Sequence, residues 1–304
     1  MRNQMPRLQR RKAFSRGYFT VFQIGYAPYN SAMIWNSTKT ENKAANKADL
    51  SRTLTDPAYT EKKIVEAGWG LLGSKNFTSL NWDIPRPFSR NLPKPTSAKS
   101  VQVCPAAVDF DARYYVLCAP ETIDLRLAFA ASGRATLEQS FQDPAAEALL
   151  KDVFTFKLAN STSWRHLNRP IVEFESPYVF LSDEDVFINL TSSFMHYTQP
   201  ALPGLVLNSR FPLNLWPRKL AWAFEWYDTS RPLVIKKGEP WFYVSFESID
   251  PSRRVRLVNA EITPGIGEFV HKISAVSQFA KQTQALIMGQ QKDRPSKLLI
   301  APKS

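Results

Sequence analysis

Acidic residues and histidines are the groups in this chain that could do chemistry, and their spacing limits what that chemistry is. The chain holds three histidines, His166, His196 and His271. A mononuclear centre of the two-histidine, one-carboxylate kind needs two imidazoles and an acid around open metal positions. Such a site commonly begins with an acid two residues after a histidine, and here those positions hold Asn168, Thr198 and Ile273. His196 follows the acidic run Asp183-Glu184-Asp185, so Asp183, Asp185 and His196 are the metal candidates. The same residues also fit a solvated acidic loop and a hydrogen-bonded histidine. Asp109 and Asp111 flank Phe110. On a strand they would share one face and could hold a divalent ion or exchange protons. Asp-Phe-Asp-Ala-Arg also reads as a hairpin bend. Asp109, Asp111 and His196 are thus the catalytic candidates. The chain has no Ser/His/Asp nucleophile motif, no phosphate-cradling Gly loop and no zinc set, and no cofactor is expected.

A second group of residues suits binding. Trp164 and Arg165, and separately Trp216 and Arg218, combine flat rings with cations. Such pairs stack bases and hold phosphates, and they also anchor protein interfaces. No nucleic-acid motif frames them, so a protein interface ranks above nucleic acid, and plain structural packing ranks above both. Residues 1–17 carry Arg2, Arg7, Arg10, Arg11, Lys12 and Arg16 and no acid. Arg10, Arg11 and Lys12 could touch nucleic acid, an anionic surface or an acidic partner; a solvated, frayed terminus is the other reading.

The charge is unevenly spread. Residues 1–100 carry 17 basic against 6 acidic side chains, 101–200 carry 7 against 13, and 201–304 carry 15 against 8, so the excess of +12 sits at the ends. With 20 Phe, 10 Tyr and 8 Trp the composition suits sheet faces, while 11 Gly against 22 Pro argue against a fold built on nucleotide-binding glycine loops. No apolar run reaches the ~20 residues of a membrane span, and the first twenty residues lack a secretory h-region, so a soluble, unexported protein is expected. Cys104 and Cys118 are the only cysteines and are read as two free, largely buried thiols.

Positioning falls to strands. Leu220–Phe246 holds three apolar runs, Leu220–Tyr227, Leu233–Ile235 and Trp241–Phe246, divided by Arg231-Pro232 and by the turn Lys236-Lys237-Gly238-Glu239-Pro240. Alternating aromatic and β-branched residues with Gly and Pro at the corners predict the spine of one antiparallel sheet. Further strands are predicted at Tyr18–Ala27, Val101–Val103, Tyr114–Cys118, Ile123–Phe129, Ile171–Phe174, Tyr178–Leu181, Val186–Leu190, Gly204–Leu207 and Arg254–Val258. Asp56-Pro57 and Asp143-Pro144 predict helix starts, giving helical insertions near 57–67 and 144–154. Phe269, Ile273, Val276, Ala280 and Ile287 recur at helical offsets and predict one long C-terminal helix over 263–291, packed on its own sheet or docked on another subunit. Residues 292–304 are expected to be loose. The domain plan is a basic arm at 1–17, one β-rich domain over 18–262, the helix and the tail. The predicted class is mainly β: an antiparallel sandwich or jelly roll.

Several segments, in order, resemble an uncharacterised family of proteins from marine tailed phages, related to a bacterial domain of unknown function. They are Trp82, Ile84 and Pro85; Cys104-Pro105-Ala106; Asp109; Tyr114–Leu125; Ser176-Pro177; Pro200 and Pro203; Phe211-Pro212; Arg231-Pro232; and Lys237-Gly238-Glu239-Pro240. The resemblance covers roughly residues 80–260, and residues 1–60 and the C-terminal helix lie outside it. It implies a phage or bacterial origin and a β-rich core, and it brings no catalytic set. A strand, an Ile-Lys-Lys-Gly-Glu turn and a second strand also resemble the closing hairpin of the dUTPase-type β-clip, but the Gly-rich arm and catalytic aspartate motif of that enzyme have no counterpart.

The expected function is therefore that of a non-enzymatic phage component, structural, assembly or host-interacting, in the host cytoplasm or virion. A protein partner or self-association is expected. The alternatives are an enzyme with a pocket inside the β fold, metal-assisted through the acids and His196, and non-specific nucleic-acid binding through the basic arm.

Overall fold

Alternation of buried and exposed side chains runs through most of this chain, and it produces three sheets. The computed structural model describes residues 64–73, 80–90, 100–141, 147, 150, 153–198, 200–276 and 283–302, and all of them belong to one compact unit, residues 50–304. Among them the fold is mainly β. The predicted arm at 1–17, the strand at Tyr18–Ala27 and the Asp56-Pro57 helix start lie outside the described residues.

The first sheet has the order β14-β1-β7-β11-β9, with β6 also on β7: β1 is Ile64–Leu71, β6 Lys157–Leu158, β7 Ile171–Leu181, β9 Gly204–Val206, β11 Lys219–Trp226 and β14 Arg254–Asn259. Only β1 and β14 run parallel. The second sheet has the order β10-β8-β13-β3-β2: β2 is Arg86–Pro87, β3 Tyr114–Cys118, β8 Val186–Ser192, β10 Ser209–Pro212 and β13 Pro240–Ser248. The third is small, β12-β4-β5, from Leu233–Ile235, Ile123–Phe129 and Ala135–Gln139. The stretch Leu220–Phe246 does not form one sheet. It sends β11, β12 and β13 to three different sheets. The corner after β11 is held by the Trp226 indole N–H, which donates to the carbonyls of Asp228 and Arg231. The corner after β12 needs Gly238 in the left-handed region, at φ +80°.

The core is aromatic. Trp222 of β11 lies 5.5 Å from Trp241 of β13, and Phe174 of β7 lies 5.4 Å from Trp241, so rings of the first and second sheets meet across one interior. Phe154 and Phe156 fill the same space, 5.2 and 4.9 Å from Phe174. Burying each such ring contributes on the order of 2–3 kcal/mol.

Local chemistry explains the irregular points. Pro177 has no N–H and sits where the β7–β11 register shifts between Lys219 and Ala221; the Ser176 hydroxyl donates to the Leu220 carbonyl at 2.7 Å. The two strands expected at Ile171–Phe174 and Tyr178–Leu181 are thereby one. Val101–Val103 is a 3-10 turn rather than a strand, because its N–H groups find Ser100 and no neighbouring strand. The helix predicted to run to 67 is displaced by β1. Its β-branched start pairs with Arg254–Asn259, and Gly68 and Gly70 admit the chain that crosses them: a Cβ at Gly68 would lie 2.3 Å from Leu299 Cδ2, and one at Gly70 2.8 Å from the Ala260 carbonyl.

The long C-terminal helix is not observed. Two helices are, Pro264–Val276 and Thr283–Gln290, with 277–282 outside the described residues. The apolar stripe has a partner only in its first half: Ile266, Phe269, Val270 and Ile273 cover Val179 and Leu181 on the outer face of the first sheet, while the second helix buries Ile287 alone. The helix packs on its own sheet. Part of the tail is fastened, against expectation: Leu298 is fully buried, Asp183 accepts from the backbone N–H groups of Leu298 at 2.6 Å and Leu299 at 3.2 Å, and the Ile300 carbonyl accepts from the Glu261 N–H at 2.8 Å. No helix among the described residues is long and apolar enough to cross a membrane.

A Cβ at Gly204 would lie 2.0 Å from the Glu225 carbonyl oxygen, a backbone atom that cannot retreat without breaking β9–β11 pairing. Gly204→Ala is expected to lower stability in urea unfolding by about 2–3 kcal/mol. A variant within about 0.5 kcal/mol of wild type would show the strand is free to move.

Candidate functional site

Period-two geometry decides which side chains leave the second sheet on its solvent side. Ser245 lies opposite both Asn189 and Tyr114, and Tyr243 opposite both Thr191 and Val116, so these residues share the outer face. Arg210 pairs with Asn189 and Arg86 with Val116, which places them at the two margins of that face.

Above this face sits a ridge of rings. Helix α1, Pro105–Asp111, contributes Phe110, the loop after β8 contributes Phe194, and the chain after β2 contributes Phe88. Phe110 lies 5.0 Å from Tyr114, Phe194 5.5 Å from Tyr114 and 5.7 Å from Tyr243, and Phe88 5.7 Å from Tyr243. Phe110 and Phe194 remain 43% and 51% exposed, where core rings are near zero. Helix α1 buries none of its residues. It is held instead by Pro105 in its first turn and by two ion pairs. Arg113 reaches Asp109 at 2.8 Å, and Arg90 reaches Asp111 at 2.8 Å.

Two hollows flank the ridge. An open trough of about 320 Å³ is lined by Tyr114, Asn189, Thr191, Asn208, Ser245 and Glu247, among others. On the other side a cleft of about 730 Å³ includes Arg86, Phe88, Cys118, His196 and Tyr243. Burial pushes the Tyr243 hydroxyl up to about 12 and the Cys118 thiol upward from its ordinary value. Cys118 and His196 share this cleft, but a thiol driven toward its protonated form is a poor nucleophile. Beneath α1 a third hollow, of about 550 Å³, is lined by Asp109, Arg113 and Arg253. Arg113 is matched there to Asp109, and Arg253 to Glu184.

The residues singled out from the sequence fall elsewhere or serve the fold. Asp109 and Asp111 lie on a helix, two apart, so they do not face each other, and each fastens an arginine. Asp183 anchors the tail, Asp185 accepts from Asn214 at 2.5 Å, and neither lines the cleft that holds His196. Among the described residues no three of His, Cys, Asp or Glu are grouped to hold a metal. His271 is exposed on the helix Pro264–Val276. Cys104 is exposed and Cys118 buried, and both are free.

The Trp164 indole donates to the Ala159 carbonyl at 3.0 Å, and Arg165 pairs with Glu225, whose side chain is fully buried. Arg218 lies 5.0 Å from the Trp216 ring, and burial pulls its pKa down against the opposing pull of Glu175 and Glu173. All four build the first sheet and its margins. Arg10, Arg11 and Lys12 lie outside the described residues. Sequence reasoning missed Tyr114, Asn189, Thr191, Phe194 and Tyr243 as a group. A signal was present in Val186–Ser192, whose outward residues are Phe187, Asn189 and Thr191: a half-buried outward strand face with no charge.

No protein-family model matches the chain, and no curated protein matches it.

Burial alone would raise the Glu225 carboxyl, but hydrogen bonds from Arg165 and Tyr227 more than offset it, and the group titrates below its ordinary value. Its stabilisation is therefore fully present above the unfolded value near pH 4 and is lost as pH falls through the folded value. Arg165→Ala leaves a buried carboxylate unpaired and is expected to cost about 3 kcal/mol at neutral pH, with Glu225→Gln costing less. Urea unfolding at about pH 7 and about pH 3 checks this. The gap between wild type and Arg165→Ala must shrink in acid; an equal gap at both would refute the pairing.

Proposed function

We propose that this is a non-enzymatic phage protein, a structural, assembly or host-interaction component that works by surface recognition, in the host cytoplasm or virion. The observation that carries this reading is the half-exposed ring ridge of Phe110 and Phe194 over Tyr114 and Tyr243. A chain that buries many of its rings completely leaves Phe110 and Phe194 half-exposed beside each other, Phe110 on a helix that buries none of its own residues. Aromatic side chains are the usual anchors of binding surfaces. The acids that might have served catalysis are engaged by arginines and by backbone N–H groups. The phage assignment rests on the ordered Cys-Pro-Ala, Ser-Pro and Lys-Gly-Glu-Pro motifs. Within the same reading the two larger sheets form a sandwich of jelly-roll type, supported by their shared aromatic interior.

Immobilised protein exposed to infected-host lysate, together with size-exclusion and light scattering, tests the proposal. Wild type is expected to self-associate or to retain a partner. Phe110→Ser with Phe194→Ser, which changes only exposed rings, is expected to lose that association at least tenfold while keeping its unfolding midpoint. A strict monomer that retains nothing, or retention unchanged in the double variant, would sink it.

A further inference from the structure

The trough beside the ridge has a chemistry of its own. Its lining is rich in neutral hydrogen-bonding groups: Asn189, Thr191, Asn208, Ser209 and Ser245. Its two charges, Arg210 and Glu247, face each other at 3.4 Å, and the Arg210 guanidinium also lies 3.8 Å over the Phe187 ring. Much of the hydrogen-bonding capacity is unused. The Thr191 hydroxyl oxygen is screened from water and has no partner among the described residues. Asn189 makes one long bond, to the Ser245 hydroxyl at 3.4 Å. A buried hydroxyl without a partner is uncommon and calls for an explanation.

We infer that this trough binds an uncharged glycan, with a sugar ring stacked on the Tyr114–Phe194 edge of the ridge and its hydroxyls bonded along the trough floor. This rests on the recognition role proposed above and names its ligand class. Sugars present an apolar C–H face and a rim of hydroxyls that both donate and accept. Tyr114 belongs to both the trough and the ridge, so ring and floor adjoin. The planar amide of Asn189, which both donates and accepts, matches a pair of neighbouring hydroxyls. Thr191 is itself part of the trough lining. A volume of about 320 Å³ lies at the small end of ligand sites, and an open trough suits a chain passing through better than an enclosed small molecule.

Two other occupants fit less well. A nucleic acid needs unpaired cations along its backbone, and Arg210 is committed to Glu247 and Phe187. A peptide adding to a sheet uses an edge strand, whereas this trough lies on the face over β8 and β13.

The test uses the full-length protein with four probes: hexasaccharides of β-linked glucose, β-linked N-acetylglucosamine and β-linked xylose, and dextran sulfate as the charged control. Binding is read by calorimetry and by tyrosine fluorescence. At least one neutral hexasaccharide is expected to bind, and dextran sulfate more weakly at equal ionic strength. Thr191→Val keeps the shape of the side chain and removes the unpartnered hydroxyl. It is expected to unfold no earlier than wild type yet to bind at least tenfold more weakly, and Tyr114→Ala is expected to lose binding at least as far. Binding to none of the neutral probes overturns the inference. So does unchanged binding by Thr191→Val, or a preference for dextran sulfate. If the sugars fail while Phe110→Ser with Phe194→Ser still loses its lysate partner, the recognition role stands and a protein ligand replaces the glycan.

Discussion

Rings meeting across the gap between two sheets are the contact on which the rest of this molecule depends. Trp222, Trp241, Phe154, Phe156 and Phe174 form a continuous set, and Trp82 extends it 6.2 Å to the ring of Phe174 and 5.6 Å to Tyr178. The packing wins over hydrogen bonding here: the indole N–H groups of Trp222 and Trp241 are buried without an acceptor among the described residues. Each such orphan costs about 1–3 kcal/mol, and the interior tolerates it because large flat groups fill its volume. Once these rings point inward, the period of two sets the outward residues of β8 and β11 and, from Phe242 onward past the irregularity beside Pro240, of β13.

The two outward faces then meet different fates. On the first sheet the chain returns to cover itself. Val179 and Leu181 receive Phe269, Val270 and Ile273, and Asp183 holds the tail by two backbone N–H groups. Gly68 and Gly70 let that cover lie close. At the far end of the sheet Arg165 neutralises Glu225 and ties the loop before β7 to the sheet. On the second sheet, among the described residues, Phe88, Phe194 and the seven-residue helix α1 with Phe110 arrive, and α1 buries none of its own residues. Among the described residues, this face keeps half-exposed rings beside hydroxyls and amides.

Much of the strand pattern was legible in the amino acids. Tyr114–Cys118, Ile123–Phe129 and Leu233–Ile235 have the predicted limits, and Val186–Ser192 and Arg254–Asn259 extend theirs by two residues and one. Alternation is local, so a window of a few residues suffices to read it. Partnership is not local. Ile64–Leu71 overlaps the helix expected to run to 67, whereas its two glycines answer to Leu299, Ala260 and Ile262. Asp183 looked like a metal ligand because its use, the backbone of Leu298 and Leu299, is more than a hundred residues away.

Side-chain chemistry along the chain settled the strand content, the Gly238 turn, the aromatic interior and the segment that folds as the helix Pro264–Val276, since each follows from neighbours within a few positions. Which sheet a strand joins, which acid meets which base, and which face stays bare were settled in three dimensions. Leu220–Phe246 shows the reason. Its three runs are each correct as strands, but Trp222 and Trp241 gain more by facing each other across the core than their strands would by pairing edge to edge, and that preference becomes visible only when the two sheets close on one another.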